Sequence, residues 1–473
     1  MSHTDRPAIA VVGAGPSGLF ACQALLRAEP PIGRIDVYDR LPTPYGLLRY
    51  GVAPDHVGIK SVASRLATVF EDPRVRYFGL VEFGRDVLRA ELLASYDAVI
   101  YAVGTAEDRR LGIPGECMPG SWPARSFVEW YSGHPDAKGA SLADVRTAIT
   151  LGVGNVAVDV ARILLHDEVA LAATDMPAAV LAELRDSPVE HVWLIGRRGP
   201  ESASFSTTEL RELLTLDGVA VHLDAAAIPD PASVPLVAGR PDRRVVANLQ
   251  ALRDAATREV PNPRAYLHLA FWLRPVELCG DERVESLVLE VTTSDAAGAV
   301  VGTGELVELP TDLVLSAVGY RGKPLPDVPF DSVRGTIPNV EGRVVDADGA
   351  RQPHEYAVGW IKRGPVGVIG TNKSDAAETV EHLLADIADP AHAPDLGRPL
   401  ADIGPVLAAR GVEASSFDDW RRIEAAEFDL GRSQGRDASK IETWDALTAV
   451  LARRPGAARG PSESGSGTVG GSG

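Results

Sequence analysis

At 473 residues the chain is too long for one ordinary core, and 45% hydrophobic against 24% charged residues marks a globular protein of two domains. Its 47 basic and 65 acidic residues give a net charge of −18, which argues against general affinity for nucleic acid or a membrane surface and leaves room only for local basic patches. Three cysteines, Cys22, Cys117 and Cys279, lie far apart with no CxxC, which excludes a disulfide framework, a Cys-rich zinc site and a dithiol couple, so any electron carrier must be bound.

In chain order, Met1 to Pro7 is polar and runs into an apolar strand without the pattern of a signal peptide, and no stretch is long and apolar enough to span a bilayer. A cytoplasmic location is expected. Ala8–Val12 reads as a short strand closed by Gly13, Leu19–Arg27 as a helix and Ile35–Tyr38 as the next strand. Ala98–Val103, ending at Gly104, reads as a further buried strand. A second unit starts at Ala148–Leu151, turns through Gly152–Gly154 and continues as a helix over Val156–Leu165. After a helical insertion, Pro177–Arg185, its next strand is His191–Ile195. Leu269–Leu278, Val284–Val291 and Ala299–Leu309 read as extended antiparallel segments, Leu313–Val318 as a strand closed by Gly319, and Ala376–Ile387 as a helix. The expected fold class is α/β with two Rossmann-like nucleotide-binding domains. One is discontinuous, 1–106 and 325–455, and the other, 107–324, is inserted into it. Residues 456–473 are rich in Gly and Ser, cannot bury enough apolar area to fold, and read as a flexible tail.

The strongest local signal is Gly13-Ala14-Gly15-Pro16-Ser17-Gly18 between a strand and a helix. In such a turn the first glycine allows the tight bend, the second lets backbone approach a pyrophosphate, and the third lets helix pack on strand. The helix N-terminus offers free N–H groups to phosphate. Asp39, with Arg40 after it, ends the next strand where a carboxylate accepts hydrogen bonds from a ribose diol. A second turn, Gly152-Val153-Gly154-Asn155-Val156-Ala157, has alanine at the third position. Where a ribose-binding acid would favour NAD, the chain has Arg197 and Arg198, and two guanidinium groups suit a 2′-phosphate. Two dinucleotide folds with no metal or nucleophile signature imply hydride transfer between NADP(H) and a flavin, FAD, with the protein placing one ring against the other.

The chain resembles the adrenodoxin-reductase-like ferredoxin–NADP⁺ reductases from Ala8 to beyond residue 440. The resemblance rests on Tyr45-Gly46-Leu47-Leu48-Arg49-Tyr50-Gly51-Val52-Ala53-Pro54-Asp55-His56, on Gly196-Arg197-Arg198-Gly199-Pro200 followed by Thr208-Glu209-Leu210-Arg211-Glu212, and on the segment from Gly359-Trp360 to Thr371-Asn372. It implies that Gly46, Leu47 and Leu48 lie beside the flavin, that His56 and Asp159 route protons near it, and that Glu209 contacts the adenosine ribose or phosphate. Trp360 offers a flat apolar ring and an indole N–H to an aromatic cofactor. The Gly367, Val368 and Ile369 N–H groups are candidates for the flavin's electron-rich edge. For His56, Asp159 and Glu209 the plain alternatives are a packing histidine, a helix salt bridge and an exposed helix acid. The implied activity is NADPH:ferredoxin oxidoreduction, with single electrons passed reversibly to a ferredoxin-type iron–sulfur protein, and a monomer is expected. Such an acidic partner needs a local positive face, for which Arg211, Arg240, Arg243 and Arg244 are candidates, a solvated charged loop being the alternative. The chain departs from the family at Glu201-Ser202-Ala203-Ser204-Phe205, which puts an acid near the proposed phosphate site. Competing readings are an NADPH-dependent flavin monooxygenase and a non-catalytic nucleotide-sensing flavoprotein. The missing CxxC excludes a thioredoxin-reductase-like enzyme, and the missing Cys-rich N-terminal region argues against a glutamate-synthase small-subunit type.

Overall fold

A computed structural model describes residues 6–234, 236–237, 240–396 and 400–453; the Gly/Ser-rich segment read as a tail lies outside them. Apolar β-branched runs closed by glycine make the central strands. Ala8–Val12 lies parallel between Arg34–Tyr38 and Ala98–Tyr101, Val75–Phe78 extends one side, and Arg351–Ala357 extends the other. Two short antiparallel strands, Asn339–Val340 and Arg343–Val345, finish that edge and make a sheet of seven. Alternate residues face opposite ways, so Ile9, Val11, Ile35 and Val37 pack under the helices, while Ala10, Val12, Tyr38 and Tyr101 line a second core on the other face. Helix Pro16–Leu26 packs along helix Thr371–Ala388, so residues from both ends of the chain cover one face.

The second sheet has six parallel strands in the order Ser121–Pro123, Leu313–Ser316, Thr147–Leu151, His191–Gly196, Ala265–Phe271, Val219–His222. One face packs on helices Ala124–Tyr131, Asn155–Leu165, Thr207–Leu214 and Arg243–Ala256. The other is partly covered by a three-stranded antiparallel sheet, Leu273–Cys279, Ser286–Ser294 and Val300–Pro310. The single extended segment expected over Leu269–Leu278 is in fact two strands. The chain turns at Trp272, whose φ of 60° is left-handed, so the first strand stays in the parallel sheet and the second leaves for the antiparallel one. The two parts of the chain are joined where Glu107–Asp108 pairs antiparallel with Tyr320–Arg321.

Helices Phe417–Ser433 and Trp444–Ala452 pack Trp420, Ile423, Leu447 and Leu451 against Leu19, Tyr45, Leu48 and Leu66 of the first unit. Among the described residues no helix is long and apolar enough to cross a membrane.

Candidate functional site

Three segments meet at the first glycine turn. Gly13 has φ 110°, and a Cβ there would lie 2.5 Å from the Ala102 carbonyl oxygen; one at Gly18 would lie 2.1 Å from the Gly13 carbonyl oxygen. Both glycines are therefore demanded by packing. Gly15 differs: a Cβ on it would meet nothing within 4 Å, so the space before the helix N-terminus is open, as a pyrophosphate site requires. The block that begins at Tyr45 closes over this turn. Tyr45 N–H donates to the Ala14 carbonyl (2.9 Å), and a Cβ on Gly46 would lie 3.0 Å from the Gly15 Cα. Tyr45 itself has φ 82°, a strained conformation for a bulky residue, held by its edge-on contact with Trp420. From the far end of the chain, Gly359 (φ 75°) presses on Ser17, where a Cβ would come within 2.1 Å of Oγ. Asp375 anchors this segment by accepting from the Gly359 N–H and pairing with Lys362 and Arg363. Trp360 follows at once. Its ring stacks near Tyr320, and its buried Nε1 has no hydrogen-bond partner among the described residues, so it is a donor awaiting an acceptor.

The second turn is built alike. Gly152 (φ 133°) is forced by the Ala317 carbonyl, 2.4 Å from where its Cβ would be, and Gly154 opens helix Asn155–Leu165. The Ser204 and Phe205 N–H groups donate to the Val153 carbonyl, and the Asn155 side chain accepts from the Ser206 N–H, so the segment after the arginines lies over the turn. Val156 packs partly into the core at the start of that helix. Arg197 and Arg198 are exposed, and neither guanidinium has a hydrogen-bond or ion-pair partner among the described residues. Open space at Gly15, the orphan indole N–H and the unpaired arginine fork fit a flavin dinucleotide on the first turn and a 2′-phosphorylated one on the second.

Several expected contacts are placed otherwise. Both Asp39 oxygens accept backbone N–H groups, from Ala14 (2.9 Å) and Leu41 (3.0 Å), so the carboxylate clamps the turn to its strand; burial holds its pKa above the usual carboxylate range. Arg40 pairs with Asp136 at 2.6 Å. Leu48 is 2% exposed and belongs to the core, whereas Leu47 is 39% exposed. The Val368 N–H is spent on Thr371 Oγ1 (3.2 Å), and Gly367, exposed with φ 86°, leans on the same threonine. Ile369 packs beside the core that holds Tyr45. Glu209, expected at the adenosine, is only 7% exposed and turns its carboxylate to His56; Ser206 caps its helix.

His56 and Asp159 join the two units. His56 precedes helix Val57–Ala67, Asp159 lies on the helix after the second turn, and Nε2 is 3.0 Å from Oδ1. Glu209 Oε2 is 2.7 Å from the same nitrogen. Arg162, which sequence reading missed, is buried at the centre. Its guanidinium pairs with Asp55 (3.0 Å), Asp159 (2.8 Å) and Glu212 (2.9 Å) and stands 2.6 Å from His56 Nε2. The signal was present: Asp159 and Arg162, three apart, are the only charges on the otherwise apolar helix Asn155–Leu165. Burial pulls the His56 pKa down, but Asp159 and Glu209 outweigh both that and the opposing Arg162, pushing it up to about 10; burial raises the Asp159 carboxyl. The folded pKa of His56 thus exceeds its unfolded value. Its contribution to stability is complete below about pH 6.5 and is lost as pH rises towards 10. The stability of the His56→Gln variant is expected to fall less than wild type between neutral pH and 10, measured by urea unfolding; identical pH profiles would overturn the charged imidazole.

No family model matches the chain. It is 44% identical over 461 residues to the NADPH-ferredoxin reductase FprA of Mycobacterium tuberculosis, spanning 93% of this chain and 98% of that protein. To the human mitochondrial NADPH:adrenodoxin oxidoreductase it is 40% identical over 457 residues, 93% of this chain and 91% of that one. A solved structure of Mycobacterium tuberculosis FprA in complex with NADPH matches with a TM-score of 0.85 at 42% identity, covering 94% of this chain and 99% of that one. Similarity at this level over nearly the whole of each chain means that the protein belongs to the adrenodoxin-reductase-like family of ferredoxin–NADP⁺ reductases.

Proposed function

We propose that the protein is an FAD-dependent NADPH:ferredoxin oxidoreductase, a cytoplasmic monomer whose FAD unit is 1–106 with 325–455 and whose NADP(H) unit is 107–324. The observation that carries this reading is the buried His56–Asp159 contact, which locks the helix after the second glycine turn to the block beside the first. Bound FAD would supply the conversion between the two-electron hydride of NADPH and the single electrons an iron–sulfur protein accepts. The chain's own residues do the positioning. Gly13, Gly15, Pro16, Ser17 and Gly18 form the turn for the flavin pyrophosphate, Gly46 and Leu47 close over it, and Trp360 with Gly367 and Ile369 borders the ring. Gly152, Gly154, Asn155 and Val156 hold the second pyrophosphate, and Arg197 with Arg198 hold the 2′-phosphate. His56 carries a proton at Nε2 against Asp159 Oδ1, available beside the cofactors.

The ferredoxin-type partner is acidic, and we place its docking on exposed Arg211, Arg240 and Arg243. Arg244 is a weaker candidate, because its guanidinium donates to the Ala203 (2.6 Å) and Phe205 (3.3 Å) carbonyls and so anchors helix Arg243–Ala256.

The test is an anaerobic NADPH titration of the yellow protein, followed by cytochrome c reduction with and without added ferredoxin. Bleaching by NADPH much faster than by NADH, and ferredoxin-dependent reduction, are expected. Substrate hydroxylation with rapid oxygen use, or flavin that NADPH never bleaches, would overturn the assignment.

Glu201 tunes the second site. Its carboxylate folds back over the arginine turn, with Oε2 2.3 Å from where a Cβ on Gly199 would stand. Removing that half-exposed negative charge with Glu201→Gln is expected to lower the KM for NADPH by about two- to fivefold, the worth of a screened surface charge. The KM for NADH should stay unchanged. A parallel fall for both nucleotides would show that the side chain acts on the fold of the turn instead.

A further inference from the structure

Three of the chain's ten histidines meet on one face of the six-stranded sheet, away from both glycine turns. Strand register puts them there. His268 is paired with Trp193 on one side and His222 on the other, and Tyr266 is paired with His191, so all five side chains stand on the same face. The intervening Val192, Leu194, Leu267 and Val221 point the other way into the core. The antiparallel sheet covers this face over Ile149, Leu151 and Ile195 but leaves His191 and His268 half-buried and His222 exposed.

The rings are held rather than loose. Trp193 stacks on His268 at 4.3 Å and 12°, and Tyr266 stacks on His191 at 4.9 Å and 17°. His191 Nδ1 and His268 Nε2 then face each other 3.1 Å apart, sharing one proton in a hydrogen bond that an incoming dication would displace. His222 stands edge-on to His268 with ring centroids 4.9 Å apart, on the outermost strand. Two imidazole nitrogens at 3.1 Å, each about 2.0–2.1 Å from one ion, subtend roughly 100° at it, between the octahedral and tetrahedral angles. Neutral imidazole suits late first-row dications, and a pre-held pair of rings costs little entropy to organise.

We propose that His191 and His268, joined by a rotation of His222, form a binding site for an imidazole-preferring transition-metal dication such as zinc. The ion would staple three neighbouring strands of the NADP(H) half, with water completing its shell, and would carry no redox step.

The test uses the flavin-loaded protein and ZnCl2 alone. Calorimetric titration at neutral pH should show a zinc site that weakens by at least about tenfold in His268→Gln, as removal of a ligand demands. His222→Gln, an exposed change that spares the core, should weaken it less. Zinc should raise the melting temperature of wild type and leave that of His268→Gln unmoved. Anomalous scattering at the zinc edge should place the ion between His191 and His268. Equal zinc affinity in wild type and both variants would overturn the site, as would an anomalous peak found only at the His56, Glu209 and Glu212 cluster.

Discussion

Replacing both Arg197 and Arg198 by alanine is expected to raise the KM for NADPH by two orders of magnitude or more and to leave NADH oxidation nearly unchanged. The two guanidinium groups stand at the end of strand His191–Gly196 and make no ion pair among the described residues, so their charge is uncommitted until an anion arrives. Each charge-assisted hydrogen bond to a phosphate oxygen contributes about 1.5–3 kcal/mol, and a tenfold change in affinity is about 1.4 kcal/mol. The backbone of the turn does not depend on these side chains. The Arg197 carbonyl accepts from Thr292 Oγ1 (2.9 Å), and the Arg198 carbonyl accepts from the Trp272 N–H (3.3 Å). The variant should therefore keep its flavin and its fold. Steady-state kinetics with each nucleotide decides the matter, and equal losses with both would sink the 2′-phosphate assignment.

The second large effect concerns stability. Arg49 and Glu427, 378 positions apart, form a buried bidentate ion pair, Nη1 to Oε2 at 3.1 Å and Nη2 to Oε1 at 2.5 Å. The guanidinium also lies over the rings of Tyr50 (4.9 Å) and Trp420 (4.8 Å). Glu427 Oε1 accepts from the Ile441 N–H, and Lys440 donates to the Arg49 carbonyl, so the pair fastens the C-terminal helices to the block that closes the first turn. Glu427→Ala leaves a buried guanidinium without its counter-charge and is expected to cost about 3–5 kcal/mol, with weakened flavin retention. Denaturant unfolding and flavin release measure the two effects. Changing both partners to apolar residues of similar volume, Arg49→Met with Glu427→Leu, should recover most of the loss, because neither charge is then stranded. If the double variant were as unstable as the single one, the loss would come from packing.

The cofactor chemistry was legible in the sequence because its signals are local. Each signal, a glycine turn between strand and helix or an arginine pair at a strand end, is contained within a few residues, and the backbone geometry the turns demand is the geometry found. The His56–Asp159 pair was legible only through the family resemblance, since nothing local joins residues 103 positions apart. Glu209 was placed at the adenosine only by the resemblance, and its partner is instead His56, from another unit. The resemblance put Leu47 and Leu48 together beside the cofactor, yet one step along that short helix turns the Leu48 side chain into the core. Likewise the charged cluster that begins at Arg240 read as a loop, although Asp242 caps a helix there by accepting from the Arg244 and Val245 N–H groups.

Which stretches alternate and where glycine is compulsory can be read from the residues in order, for these follow from bonds and contacts between near neighbours. Only the folded chain shows that Trp420, Ile423, Leu447 and Leu451 of the last helices pack on Leu19, Tyr45, Leu48 and Leu66, and that Arg162 gathers three carboxylates and a histidine. It also shows that three histidines on separate strands share one face. Each of these depends on the register and docking of distant segments, which no short window of residues encodes.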